Sequence, residues 1–86
     1  MNILLIFSSA TSAKRVEKTI AKFGILSTVV HTPKNISETG CSHSVRIAEN
    51  DYKKVCNILS ERDIYILGAY KEIKISGKYA YKELVL

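Results

Sequence analysis

The stretch that decides the fold is residues 3–12, ILLIFSSATS, in which an unbroken apolar run is followed by a cluster of small hydroxyl side chains. A short apolar run that ends in serine is typical of a central β-strand buried on both faces. The serine and threonine residues that follow are N-cap candidates for a helix. Residues 3–12 therefore predict a buried strand that leads directly into a helix.

The rest of the chain continues this alternation of strands and helices. Apolar residues at three- and four-residue steps predict a first helix, which Gly24 ends. Pro33 ends the β-branched run that follows, and Asn50 is an N-cap candidate for a second helix. In order, the patterns predict a helix over residues 12–23, a strand over 25–31, a strand over 44–48, a helix over 50–62 and a strand over 64–70.

This order predicts the α+β class and, within it, a ferredoxin-like βαββαβ plait with a four-stranded antiparallel sheet and two helices on one face. We expect this domain to cover residues 1–70. Residues 71–86 form a C-terminal extension, in which alternation on both sides of Ser76, Gly77 and Lys78 predicts a β-hairpin or an added edge strand. The apolar residues 84–86 make this tail a candidate surface for a homodimer.

The composition excludes several classes of function. The 86 residues fit one small domain, which is too small to enclose a large cofactor, so we expect no cofactor and no enzymatic activity. The net charge of +5 invites a nucleic-acid interpretation, but the cations are interleaved with acidic residues and no nucleic-acid motif is recognisable. The opening apolar run is shorter than a signal peptide requires and no run could span a bilayer, which predicts a cytoplasmic protein without membrane partners.

The chemically distinctive stretch is residues 37–44, SETGCSHS, because a packed core does not require a thiol among small polar residues. In the expected topology, the end of the first strand lies beside the start of the third. The N-terminus of the first helix should therefore share one rim of the sheet with Cys41. Amide N–H groups and the positive end of the helix dipole favour thiolate over thiol there.

Two histidines should lie near the same rim, because His31 closes the second strand and His43 opens the third. They could bind a metal together with Cys41, one of them could act as a base toward the thiol, or both could be ordinary polar residues at strand ends. We expect no metal site, because structural zinc sites usually bring four ligands in close pairs. Cys56 lies on the apolar stripe of the second helix and is expected to be a small core residue.

The chain resembles a bacterial family of selenium/sulfur carrier-like domains. The features that carry the resemblance are residues 7–11, FSSAT; Ala13 and Glu17 on the helix; Gly24-Ile25; Pro33-Lys34; and residues 37–42, SETGCS. They agree in order and spacing over about residues 2–70. Ser42 stands where the family typically has glycine, and Lys34 stands where arginine is common.

The resemblance implies a carrier that holds sulfur or selenium on Cys41 as a persulfide or selenylsulfide. Donor and acceptor enzymes are its expected partners. An alternative is a non-catalytic regulatory module that docks on a partner enzyme, and a third interpretation is a metallochaperone. The candidate residues around the carrier thiol Cys41 are an anion site formed by Ser9, Thr11, Ser12, Lys34, Gly40 and Ser42, with His43 or His31 as a base.

Overall fold

Five strands and two helices make up the described part of the chain in this computed structural model, which is residues 1–34, 36 and 43–84. A 3₁₀ turn at Glu49–Asp51 precedes the second helix. The expected α+β class is confirmed. In chain order the elements are β1 (Asn2–Phe7), α1 (Ala10–Ala21), β2 (Ser27–His31), β3 (His43–Ala48), α2 (Tyr52–Glu61), β4 (Gly68–Ile75) and β5 (Lys78–Leu84).

The strands form one antiparallel sheet in the order β2-β3-β1-β4-β5. The sheet has five strands rather than four, because the C-terminal extension pairs along β4 and adds β5 at the edge, which confirms the hairpin predicted for residues 71–86. A two-residue turn makes this pairing tight: Ser76 and Gly77 both have positive φ, at 50° and 81°. Positive φ at both central residues is the pattern of a type I′ hairpin turn, whose twist matches that of the flanking strands.

The central strand β1 is buried on both faces, as the sequence predicted. Ile3, Leu5 and Phe7 point toward the helices and join both of them in one core. On the opposite face, Leu4 is fully buried and Ile6 is 7% exposed. The core on the helical side comprises Ile3, Leu5, Phe7, Ala13, Val16, Ile20, Ile25, Val45, Ile47, Val55, Ile58, Leu59 and Ala69.

A polar cluster covers part of the face opposite the helices. Arg46 Nη2 lies 3.2 Å from Glu72 Oε2, and the Glu72 side chain is only 5% exposed. Tyr81 donates a hydrogen bond to the same carboxylate oxygen at 3.4 Å, and Asn2 Nδ2 donates to the other at 3.5 Å. Burial, followed by the charge of Glu72, raises the pKa of Tyr81. The cluster ties β1, β3, β4 and β5 together.

Helix α1 begins two residues earlier than predicted because Ser9 is its N-cap. Ser9 has extended backbone angles, and its Oγ accepts a hydrogen bond from the Ser12 amide at 3.2 Å. The helix ends at Ala21, two residues before the predicted end, and Gly24, with φ of +78°, turns the chain out of it as expected. There the Ile25 amide donates to the Ile20 carbonyl at 3.2 Å, which is the closing bond of a Schellman motif.

Other predicted boundaries were also wrong. Strand β2 begins at Ser27 and not at residue 25. Asn50 lies inside the 3₁₀ turn and is not the N-cap of α2. Residues 64–67 are not a strand, because the chain leaves α2 through Asp63 at φ of 54° and reaches the sheet only where Leu67 donates to the Ile6 carbonyl at 2.9 Å. Strand β4 therefore begins at Gly68 and continues past residue 70, where pairing with β5 sustains it.

The C-terminal tail contributes one side chain to the core of its own chain. Leu84 is partly buried and packs against the core cluster. Residues 85 and 86 lie outside the described part of the chain. Among the described residues, no helix is sufficiently long and apolar to cross a membrane.

Candidate functional site

Three strand ends meet at one rim of the sheet. Phe7, the last residue of β1, pairs with His43, the first residue of β3, and His43 also pairs with His31, the last residue of β2. This confirms the expected juxtaposition of the end of the first strand with the start of the third. Ser8 and Ser9 follow Phe7 directly, so the N-terminus of α1 opens at the same rim.

The hydroxyl groups at the start of α1 have distinct environments. Ser9 Oγ accepts from the Ser12 amide, and the hydroxyl groups of Ser9 and Ser12 are hydrogen-bonded at 3.1 Å. Thr11 is exposed on the first turn. The first turn contains no acidic residue, so no carboxylate of its own offsets the positive end of the helix dipole. This helix end can therefore attract an anion, although the cap already occupies the Ser9 side chain.

The two histidines lie against each other. Their ring centroids are 4.8 Å apart and their planes are inclined by 43°. His31 is exposed and His43 is half-buried. Nδ1 of His43 is buried and has no hydrogen-bond partner among the described residues. The prediction that both imidazoles reach the same rim is therefore confirmed.

The sequence patterns did not predict a buried pair of hydroxyl groups next to the histidines. Thr32 Oγ1 and Ser44 Oγ lie 2.7 Å apart, and both residues are buried. Thr32 follows β2 and Ser44 lies in β3, so this hydrogen bond closes the base of the connection over residues 33–42. The signal in the sequence was the pair of hydroxyl residues that each follow a histidine, His31-Thr32 and His43-Ser44.

Of the remaining candidate residues of the anion site, the structure describes only Lys34. Lys34 is exposed, next to a turn in which the Ile36 amide donates to the Pro33 carbonyl at 3.0 Å. Gly40, Cys41 and Ser42 lie outside the described residues. Within ranges 1–34, 36 and 43–84, no group of three His, Cys, Asp or Glu side chains is placed to hold a metal ion.

The Cys56 side chain is less buried than predicted. It is half-buried, whereas its neighbours Val55 and Leu59 on α2 are buried. It lines a cleft of about 650 Å³ between α2 and the segment that leads to β4. Burial raises the pKa of the Cys56 thiol, and a hydrogen bond from the Tyr52 hydroxyl partly offsets this effect. Tyr52 and Cys56 are four residues apart on α2, and this spacing is the feature of the sequence that could have predicted their contact.

Comparison with known proteins gives one match. The family described as "Putative Se/S carrier protein-like" matches residues 2–71, which covers β1 through the first half of β4. Searches of curated proteins and of solved structures found no match to the chain. Since the family match extends over most of the 86 residues, the chain belongs to the Se/S carrier protein-like family.

Proposed function

We propose that this protein carries sulfur or selenium on Cys41, as a persulfide or a selenylsulfide, between a donor enzyme and an acceptor enzyme. The observation that carries the proposal is the pairing of His43 with both Phe7 and His31. Cys41 precedes His43 by two residues in the sequence, and His43 lies at the rim at which α1 begins.

The loading step is a thiol exchange. The Cys41 thiolate attacks the outer sulfur of a donor persulfide, a new S–S bond forms, the donor S–S bond breaks and the donor thiolate leaves. The product is Cys41 bearing the transferred sulfur. The N-terminus of α1 and the Lys34 ammonium favour the anionic sulfur by charge, and Thr11, Ser12, Gly40 and Ser42 are the proposed hydrogen-bond donors.

The histidine pair supplies the proposed base. In this role His43 takes the Cys41 proton, and His31 lies 4.8 Å from it by ring centroids. Cys56 is unsuited to the carrier role, because burial raises the pKa of its thiol and keeps it protonated near neutral pH.

The compartment, the partner enzymes and the fold family are part of the same proposal. The chain acts as a carrier in the cytoplasm, and its partner enzymes perform the chemistry of release. We assign the fold to the ferredoxin-like plait, extended by β5. Supporting this assignment are the strand order β2-β3-β1-β4, the antiparallel pairing of all neighbours and the joint core of both helices with β1.

The test is intact-mass spectrometry after incubation with a cysteine desulfurase and cysteine. The expected result is a gain of one sulfur atom that dithiothreitol removes, present in the wild type and in Cys56→Ser but absent in Cys41→Ser. The Cys56→Ser variant is the matched control, since it removes a thiol without touching the rim. A sulfur adduct that persists in Cys41→Ser, or none in the wild type, contradicts the proposal.

The second candidate function is a docking module without cargo chemistry. The cations Lys14, Lys18 and Lys22, on α1 and just after it, favour this alternative because they provide a surface for a partner independently of Cys41. A Cys41→Ser variant separates the two functions. Partner binding survives the substitution in a docking module, whereas sulfur transfer to an acceptor is lost in a carrier.

A further inference from the structure

One face of the molecule carries five cations. On α1 and just after it, Lys14, Lys18 and Lys22 follow at four-residue steps and Arg15 lies beside them, so all four point the same way. Arg62, at the end of α2, joins them, because Arg62, Arg15, Lys18 and Lys22 line one cleft of about 540 Å³. We call Lys14, Arg15, Lys18, Lys22 and Arg62 the basic face.

The basic face is not neutralised from within the chain. Among residues 1–34, 36 and 43–84, ion pairs join Arg46 to Glu72 and Lys71 to Glu49, and neither pair includes a cation of the basic face. Like charges four residues apart destabilise a helix, and Lys14, Lys18 and Lys22 stand at this spacing. An anionic partner would relieve their mutual repulsion.

We infer that the basic face is a docking surface for an acidic segment of a partner protein. The partner class rests on the proposed carrier function, because a carrier must engage a donor and an acceptor. The surface itself does not depend on Cys41. Its position is informative: Arg15 lines both the cleft with Arg62 and a hollow that contains Ser8 and Ser12 at the start of α1. An acidic segment bound here lies next to the rim.

Two features favour an acidic protein segment over nucleic acid. Helix α1 has 12 residues and is about 18 Å long, which suits a short segment. The Arg62 guanidinium carbon lies 5.0 Å from the centroid of the Phe23 ring, so this cation already occupies one face of the aromatic ring at this surface.

The experiment compares two triple variants in a Cys41→Ser background, which removes the carrier thiol from the measurement. The first, Lys14→Gln/Lys18→Gln/Lys22→Gln, changes the basic face. The second, Lys54→Gln/Lys78→Gln/Lys82→Gln, removes the same charge from exposed positions elsewhere. The probe is a fluorescently labelled poly-glutamate peptide, and fluorescence anisotropy measures its binding at low and at physiological ionic strength. Labelled oligothymidine and phosphatidylserine vesicles are the competing probes.

The expected result is that the first variant binds the peptide about tenfold more weakly than the parent, while the second binds nearly as the parent does. Binding should weaken as salt is added. Equal losses in both variants would reduce the effect to net charge and overturn the inference. So would tighter binding of oligothymidine or of vesicles that depends on the basic face. The single substitution Arg15→Gln provides an independent check on the same face should the triple variant be poorly folded.

This measurement and the sulfur-loading assay can fail separately. Peptide binding is measured without the Cys41 thiol, and sulfur loading is measured with the basic face intact. Loss of the first alone overturns the docking surface, and loss of the second alone overturns the carrier.

Discussion

His31 at the end of β2 and His43 at the start of β3 are cross-strand partners whose imidazole centroids lie 4.8 Å apart. The two rings thus lie in contact at the rim where β2 ends and β3 begins. Their tilted packing, at 43°, is an arrangement that aromatic pairs adopt favourably. This pair joins β2 to β3 at the rim, and it is also the proposed base of the carrier site.

We expect the two histidines to be energetically coupled. A double-mutant cycle with His31→Ala and His43→Ala should give a coupling of about 0.5–1 kcal/mol, because each ring loses its packing partner when the other is removed. Urea unfolding measures all four proteins. Additive losses in the double variant would contradict the coupling.

The hydroxyl pair Thr32–Ser44 should stabilise the base of the connection. Thr32→Val keeps the shape of the side chain but leaves the buried Ser44 hydroxyl without this partner, which should lower the free energy of unfolding by about 1–3 kcal/mol. Thr28→Val is the control, since Thr28 lies in β2, which leads to Thr32, and is exposed. Adding Ser44→Ala to Thr32→Val should restore part of the loss. Equal effects of the two valine substitutions would refute this role.

The Ser9 cap should set the start of α1. Ser9→Ala removes the acceptor for the Ser12 amide and should lower the free energy of unfolding by about 1 kcal/mol. The exposed neighbour Ser8 provides the control variant Ser8→Ala, for which we expect little change. Chemical denaturation followed by circular dichroism compares the two. A larger loss for Ser8→Ala would show that the cap has been misassigned.

The buried carboxylate of Glu72 should depend on Arg46. Arg46→Met leaves this carboxylate without its counter-charge on the sheet face and should cost about 2–3 kcal/mol in the free energy of unfolding. The matched control is Lys71→Met, which breaks an ion pair to the more exposed Glu49 and should cost much less. Thermal and urea unfolding would test the difference. Similar losses in both variants would mean that burial does not distinguish the two pairs.

The reactivity of Cys56 should rise only at alkaline pH. Because burial raises its pKa above the ordinary 9.0, alkylation in a Cys41→Ser background should be slow near neutral pH compared with the same protein unfolded in urea. Tyr52→Phe removes the hydrogen bond that lowers this pKa, so the rate near neutral pH should fall further. A rate equal to that of the unfolded protein would contradict the burial of this thiol.

The same shift has a consequence for stability. A thiol whose folded pKa is raised contributes stability that is fully present below the unfolded pKa and is lost as the pH rises through the folded pKa. The free energy of unfolding should therefore fall above roughly pH 9, and the fall should be smaller in Cys56→Ser.

Local patterns in the sequence determined much of the fold. The apolar run over residues 3–7 predicted a strand buried on both faces, and helical spacing predicted α1 and α2, because burial and periodicity are properties of neighbouring residues. The proximity of His31, His43 and the start of α1 also followed, since antiparallel pairing of the first and third strands fixes which ends meet. The family resemblance was found from short motifs in the right order and was confirmed by the match over residues 2–71.

Other features depended on contacts between distant residues, and these only the tertiary structure decided. Strand β4 begins at Gly68 because the chain must first travel from α2 to the rim, a distance that local propensity does not encode. Arg62 joins the cations of α1 only because the two helices pack side by side on the same core. The hydrogen bond between Thr32 and Ser44 likewise requires β2 and β3 to be in register. The sequence by itself determined the elements and their order, whereas the packing of those elements decided which polar side chains meet.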